Sequence, residues 1–192
     1  MKLNLSVIIL AAGESKRLGT PKQLLLQNGI PLIRRFAQLA VDLIPASVLV
    51  VTGAQHDQIV TLLQDLPVTC IYNAGWPEGM ASSIRLGIRQ LEKTPVDGAL
   101  IMLCDQINVS SVILQQLVNT FETNKFSVVC SAYQGKLGTP AIFHPKFFSE
   151  LLKLQGDHGA KRIIETCVEK GILSFEGGEI DIDSAADLDY LD

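Results

Sequence analysis

Apolar positions along the chain alternate between two rhythms. Ser6–Leu10 reads as a buried first strand, and Leu32, Phe36, Leu39 and Leu43 then recur at helical spacing, predicting a helix over Pro31–Leu43. The β-branched run Ser47–Thr52 predicts a second strand, Gln55–Leu66 a second helix and Val68–Tyr72 a third strand. Gly79–Lys93 predicts a helix with Met80, Ile84, Ile88 and Leu91 on one face, followed by a buried strand at Gly98–Leu103. Ser110 suits the cap of a helix over Ser111–Glu122, and Ser127–Ala132 predicts another strand. The rhythm weakens after Ala132. Gln134–Phe143 reads as a short hairpin or crossover, with short helices at Pro145–Lys153 and Ala160–Lys170. Late strands are expected at Ile172–Phe175 and Glu179–Ile182, and a last helix at Ser184–Leu191. Such alternation predicts an α/β protein, a three-layer α/β/α sandwich on a mainly parallel sheet. No repeat or linker divides the 192 residues, so 1–192 is read as one domain.

Composition narrows the function. A net charge of −4 with only local cationic clustering disfavours a nucleic-acid surface, yet suits a small anionic substrate held by a few cations. No apolar run approaches the ~20 residues of a membrane helix. Met1-Lys2-Leu3-Asn4 leads into the first strand without a signal peptide, which points to the cytoplasm. Cys70, Cys104, Cys130 and Cys167 form no CxxC pair, and three of them fall in or beside predicted strands, which suggests small buried hydrophobes in a reducing compartment and argues against a zinc site.

The candidate chemistry starts where the first strand ends. Leu10-Ala11-Ala12-Gly13 opens a loop that runs through Arg17 and Gly19 to Lys22. Glycines without a Cβ let backbone N–H groups approach an anion, and Arg17 and Lys22 add charge-assisted bonds to phosphate oxygens. The spacing is neither a Walker A loop nor GxGxxG. Asp105 follows the apolar run ending at Cys104, at the mouth of a buried strand, where a carboxylate can hold Mg²⁺ against phosphates. Asp181 and Asp183 alternate with Ile180 and Ile182, so both point to one face of a strand; Asp183 is a second metal ligand or the cap of the last helix. In Asn73–Ser83 the residues Gly75, Pro77 and Gly79 force a loop before a helix whose N-terminal N–H groups face any bound anion. Trp76 there either stacks on a ring or packs as a lid.

The opening segment resembles the signature LAAGxSxRxGxxK of nucleotidyltransferases related to molybdenum cofactor cytidylyltransferase. Likeness continues in Cys104-Asp105-Gln106-Ile107 (the family's GDQP), Asn73–Gly87 (NxxWxxGMxxSxxxG) and Asp181–Leu188 (DIDTPEDL). It continues too in Gly138-Thr139-Pro140-Ala141-Ile142-Phe143 (GxPxxF) and Gly156-Asp157-His158-Gly159-Ala160-Lys161 (GDxGAR). Cys104, Ile107 and Lys161 depart from the pattern, as does Leu18, a milder change.

The resemblance implies a Rossmann-like sheet of the nucleotide-diphospho-sugar transferase type. It assigns nucleotide binding to Leu10, Ala11, Ala12, Gly13, Arg17, Lys22, Asn73, Gly79, Met80, Ser82 and Ser83. It gives the divalent metal (Mg²⁺, with Mn²⁺ as an alternative) to Asp105 and Asp183, and catalysis to Arg17, Lys22 and Asp105. The acceptor goes to Gly138, Pro140, Gly156, Asp157, His158, Gly159 and Lys161. Ala-Ala-Gly followed by Pro-Lys resembles the branch that uses CTP, with molybdopterin or molybdenum cofactor as acceptor and a molybdenum hydroxylase as eventual partner. Two rivals stand beside it: a sugar-phosphate nucleotidyltransferase, and a non-catalytic accessory protein that carries the cofactor.

Overall fold

A computed structural model describes residues 3–93 and 95–191. The leader-free reading of Met1-Lys2 lies outside them. Nine strands and six α-helices are found: β1 (Leu5–Ala11), β2 (Leu26–Gln27), β3 (Ile30–Pro31), α1 (Leu32–Asp42), β4 (Ser47–Thr52), α2 (His56–Leu63), β5 (Thr69–Tyr72), α3 (Met80–Leu91), β6 (Gly98–Leu103), α4 (Ser111–Asn124), β7 (Val128–Tyr133), β8 (Lys136–Phe143), α5 (Phe148–Leu151), α6 (Lys161–Thr166) and β9 (Lys170–Ser174), these counts covering the described residues. Seven strands form one sheet in the order β5-β4-β1-β6-β8-β7-β9. β1 pairs in parallel with both β4 and β6, whereas β8 runs antiparallel to β6 and β7. The mainly parallel sandwich expected from the alternation is therefore present.

Side-chain alternation along β1 assigns each face to a layer. Val7, Ile9 and Ala11 join a core with Ile33, Phe36 and Ala37 of α1, Ile59 of α2 and Leu114 and Leu117 of α4. Ile8 and Leu10 face the other way, onto Ile84 and Ile88 of α3, Leu151 of α5 and Ile164 of α6. All seven residues of β1 are buried, as a central parallel strand covered on both faces requires. Ser110 caps α4 by accepting from the Ile113 amide at 3.4 Å.

Departures from the expected elements concentrate after Ala132. Gln134–Phe143 supplies the turn, with Gln134 and Gly135 both at positive φ, and the return strand β8 of a hairpin whose first strand is β7. The helix expected to Lys170 ends at Thr166, because Lys170 already pairs with Val128 in β9. Pro145–Lys153 splits into a 3-10 turn and the short α5. Glu179–Ile182 forms no strand; its ladder is one isolated bridge between Gln106 and Asp181. The last helix is 3-10, over Ala185–Leu191. A third cluster of Leu32, Ile107, Ile182 and Leu191 fastens this late segment to the start of α1 and the loop after β6.

Candidate active site

The carboxyl ends of the central strands open onto a cavity of about 390 Å³. Leu10, Ala12, Gly13 and the loop residues Glu14 to Leu18 line it after β1, and Trp76, Gly79, Met80 and Ser83 line it around the start of α3. Leu103, Cys104 and Asp105 enter after β6, and Ile182 and Asp183 from the late segment.

The loop is held closed by a side chain that carried no signal in the sequence. Gln23 is 1% exposed, and its Nε2 donates to Ala11 O at 3.3 Å and to Gly13 O at 2.8 Å. Ser15 Oγ accepts from the Lys22 amide at 3.1 Å. These bonds satisfy carbonyls that leave the sheet, so the loop from Ala11 to Gln23 is tied at both ends.

Lys22 is the centre of the charged cluster. Its Nζ bonds to Asp105 Oδ2 and, at 3.1 Å, to Asp183 Oδ1. Arg17 Nη2 donates to Asp183 Oδ2 at 2.8 Å. Burial pulls the Lys22 ammonium toward deprotonation, but pairing with Asp105 and Asp183 outweighs it and holds its pKa above the ordinary lysine value. Asp183 does not cap the late helix. That duty falls to Asp187, whose Oδ2 accepts from the amides of Asp183 and Ser184 at 3.1 and 2.7 Å.

Two contacts set the two acids beside each other. The Ile182 amide donates to Asp105 O at 3.2 Å, and the Ile182 side chain is fully buried. Gln106, 2% exposed, donates from Nε2 to Tyr133 Oη at 3.2 Å and Gly178 O at 3.3 Å, while its Oε1 accepts from Thr139 Oγ1 at 3.1 Å. Both departures near Asp105 are absorbed by packing. The Cys104 thiol is buried and donates to Leu10 O at 3.8 Å, and Ile107 joins the cluster around Ile182.

A divalent ion suits this pair. Asp105 Oδ1 is buried without a hydrogen-bond partner, an arrangement costly for a carboxylate unless a cation completes it. Among the described residues no three His, Cys, Asp or Glu side chains converge to hold an ion unaided. Two carboxylates completed by phosphate oxygens and water match the way Mg²⁺ is ordinarily held. Asp181, expected to share the face of Asp183, is not among the cavity-lining residues. It is half-buried with Oδ1 unpartnered, and burial, then the charges of Asp105 and Asp183, push its pKa up to about 7.

The remaining candidates divide into lining and support. Asn73 is buried behind the start of α3, donating to Ser82 Oγ at 2.8 Å and Ser83 Oγ at 3.0 Å, and of these three Ser83 reaches the cavity. Gly156 O accepts from the Ala81 amide at 3.1 Å, and Asp157 Oδ1 from the Met80 amide at 3.3 Å, so the 156–159 segment packs on the first turn of α3. Gly79 makes that approach: its φ is 117°, and a Cβ there would lie 2.6 Å from Gly156 O. Asp157 is the member of the expected acceptor set that lines the cavity. His158 and Lys161 are exposed, with Lys161 paired to Glu165 at 3.7 Å on its own helix. Gly138 lies against the Tyr133 hydroxyl, and Pro140 is buried with its carbonyl accepting from Ser131 Oγ. Trp76 borders the cavity against Gly53 and Ala12, where a Cβ on Gly53 would come within 2.8 Å of its ring.

Known proteins resemble this chain over most of its length. A curated relative, the bifunctional protein GlmU of Francisella tularensis subsp. novicida, is 26% identical over 181 residues, covering 89% of this chain; the chain spans 39% of that relative's length. The crystal structure of Rv0371c from Mycobacterium tuberculosis superposes with a TM-score of 0.85 at 23% identity, over 100% of this chain and 98% of that one. The same protein in complex with manganese gives 0.81 at 20% identity, over 98% and 97%. The fold is thus the Rossmann-like one of the nucleotide-diphospho-sugar transferases. Residues 7–171 match the model of the MobA-like NTP transferase domain, and the chain belongs to that family of nucleotidyltransferases.

Proposed function

We propose that this protein is a divalent-metal-dependent cytidylyltransferase that moves CMP from CTP to molybdopterin or molybdenum cofactor and releases pyrophosphate. The observation that carries the reading is the meeting of Asp105 and Asp183 with Lys22 and the glycine loop in one cavity. Within the family reading, Ala12 and the Pro21-Lys22 pair favour CTP as donor.

The acceptor's terminal phosphate is already a nucleophile, so no side chain has to activate one. An acceptor oxygen forms a bond to the α-phosphorus while the bond from that phosphorus to the bridging oxygen breaks, and pyrophosphate leaves. Loop amides from Ala12 onward and the ammonium of Lys22 hold the triphosphate, and Arg17 takes charge on the departing end. Asp105 and Asp183 would hold the metal, which would supply charge neutralisation on the phosphates. Ser83 and the first turn of α3 fix the nucleotide's orientation, and Asp157 marks the side from which the acceptor enters.

The decisive experiment monitors pyrophosphate release with Mg²⁺ or Mn²⁺ and each of CTP, GTP, ATP and UTP, with and without purified molybdopterin. Release with CTP that depends on molybdopterin is the expected result. Release that instead depends on a sugar phosphate would move the protein to the rival transferase class, and binding without turnover would make it a carrier.

A further inference from the structure

Lys22 occupies the space between the two acids that a divalent ion would need. Its Nζ touches one oxygen of Asp105 and one of Asp183, and its side chain is only 20% exposed. The backbone beneath it is fixed, because Gln23 anchors the turn to Ala11 and Gly13 while Ser15 holds the Lys22 amide. The four-carbon stem is free to carry the ammonium elsewhere in the same cavity, which Gly13 and Ser15 also line. An ammonium and a divalent cation cannot share the space, since like charges at contact distance repel strongly.

Resting on the transferase reading above, we infer that Lys22 is the resident counter-ion of the Asp105–Asp183 pair. It surrenders the acids to a divalent ion only when a triphosphate gives its ammonium a new anionic partner. The free protein is thus kept from loading metal by its own lysine, and the metal enters with the nucleotide. One residue serves both states, neutralising the acids before binding and the phosphates afterwards. Arg17, bonded to the other oxygen of Asp183, is exposed and offers no comparable block.

The inference gives Lys22→Met effects of opposite sign on two ligands. Mn²⁺ is titrated against the full chain and followed by the electron paramagnetic resonance of the free ion, without nucleotide and then with a non-hydrolysable CTP analogue. Wild type should bind Mn²⁺ weakly alone and far more tightly with the analogue. Lys22→Met should tighten Mn²⁺ binding without nucleotide by about tenfold or more, because a like charge leaves the ion's position. The same variant should bind the analogue more weakly in EDTA. Lys22→Arg, which keeps the charge, should hold nucleotide-free Mn²⁺ binding near wild type. Melting curves with and without Mn²⁺ confirm folding, and Mn²⁺ should raise the melting temperature of Lys22→Met but not of wild type.

Wild type that binds Mn²⁺ equally well with and without the analogue overturns the counter-ion role, as does a Lys22→Met variant no tighter than wild type. Either result leaves the transferase reading standing if pyrophosphate is still released. Mn²⁺ binding in no arm, with the analogue included, overturns both together.

Discussion

Replacing Gly79 by alanine tests the joint between the nucleotide side of the cavity and the 156–157 segment. Gly79 has φ 117° and ψ −176°, a region that side chains rarely enter. The added Cβ would lie 2.6 Å from Gly156 O and 2.7 Å from the Asp157 amide nitrogen, both backbone atoms that cannot rotate away. Backbone strain of this kind costs about 1–3 kcal/mol. Overpacking a tight contact costs about 1–3 kcal/mol more. A total of about 2–6 kcal/mol corresponds in a chain of this size to a melting temperature lowered by roughly 5–20 °C. Gly13→Ala is the matched control, because a Cβ there meets nothing within 4 Å and the residue is not at positive φ. Its stability should stay within about 0.5 kcal/mol of wild type. Triphosphate binding should nonetheless weaken, since the methyl enters the space the ligand needs. Thermal and urea unfolding followed by circular dichroism, with calorimetric titration of CTP, measure all three quantities. A Gly79→Ala protein that melts with wild type, or a Gly13→Ala protein that falls as far as Gly79→Ala, would refute the reasoning.

Three further outcomes are expected. Asp181 has its folded pKa raised to about 7 from an ordinary 3.8, so its contribution to stability is complete below pH 4 and is lost as pH rises toward 7; in EDTA, Asp181→Asn should therefore gain urea resistance relative to wild type at pH 8 but not at pH 4. Cys104 and Cys130 are buried with pKa values pushed up by burial to about 12 and about 11, and Cys167 is buried as well, so a thiol reagent at pH 8 should label Cys70 alone in the native protein and all four cysteines after unfolding. Ile182→Ala removes a fully buried side chain at a cost of about 2–5 kcal/mol and should loosen Asp183, so Mn²⁺ binding in the presence of nucleotide should weaken more than that of a Val60→Ala surface control, with an equal effect of both counting against the argument.

The sheet was legible wherever local patterning alone decides the element. Strands at Ser47–Thr52 and Gly98–Leu103 coincide with the expected spans, because both are apolar runs bounded by turns and buried on both faces. Asp105 at a strand mouth was readable for the same reason. The Asn28-Gly29 pair, with both residues at positive φ, closes the β2–β3 hairpin and is a local turn signal of the kind sequence carries. What stayed hidden depends on partners distant in the chain. Nothing local shows that Gln23 reaches back to Ala11 and Gly13, or that Gln106 joins Tyr133, Thr139 and Gly178. The alternation over Glu179–Ile182 suggested a strand, yet the segment pairs at Asp181 alone, in one bridge to Gln106 after β6. Burial of Ile182 in the cluster with Leu32, Ile107 and Leu191 is what shapes that segment. The same burial separates Asp183, which lines the cavity, from Asp181, which does not.

The late segment is tied beside Asp105 by the single Gln106–Asp181 bridge with its Ile182 amide bond, the Gln106–Gly178 contact, the pairs of Asp183 with Lys22 and Arg17 and a small apolar cluster, rather than by a ladder. Its release therefore costs much less than global unfolding, and the two tiers should exchange hydrogen at separate rates. An amide at Ile182 would report assembly of the acid pair, while those of β1 report the whole domain. Chemical competence can then be dismantled, by denaturant or by a nearby mutation, in a molecule whose spectrum still looks native.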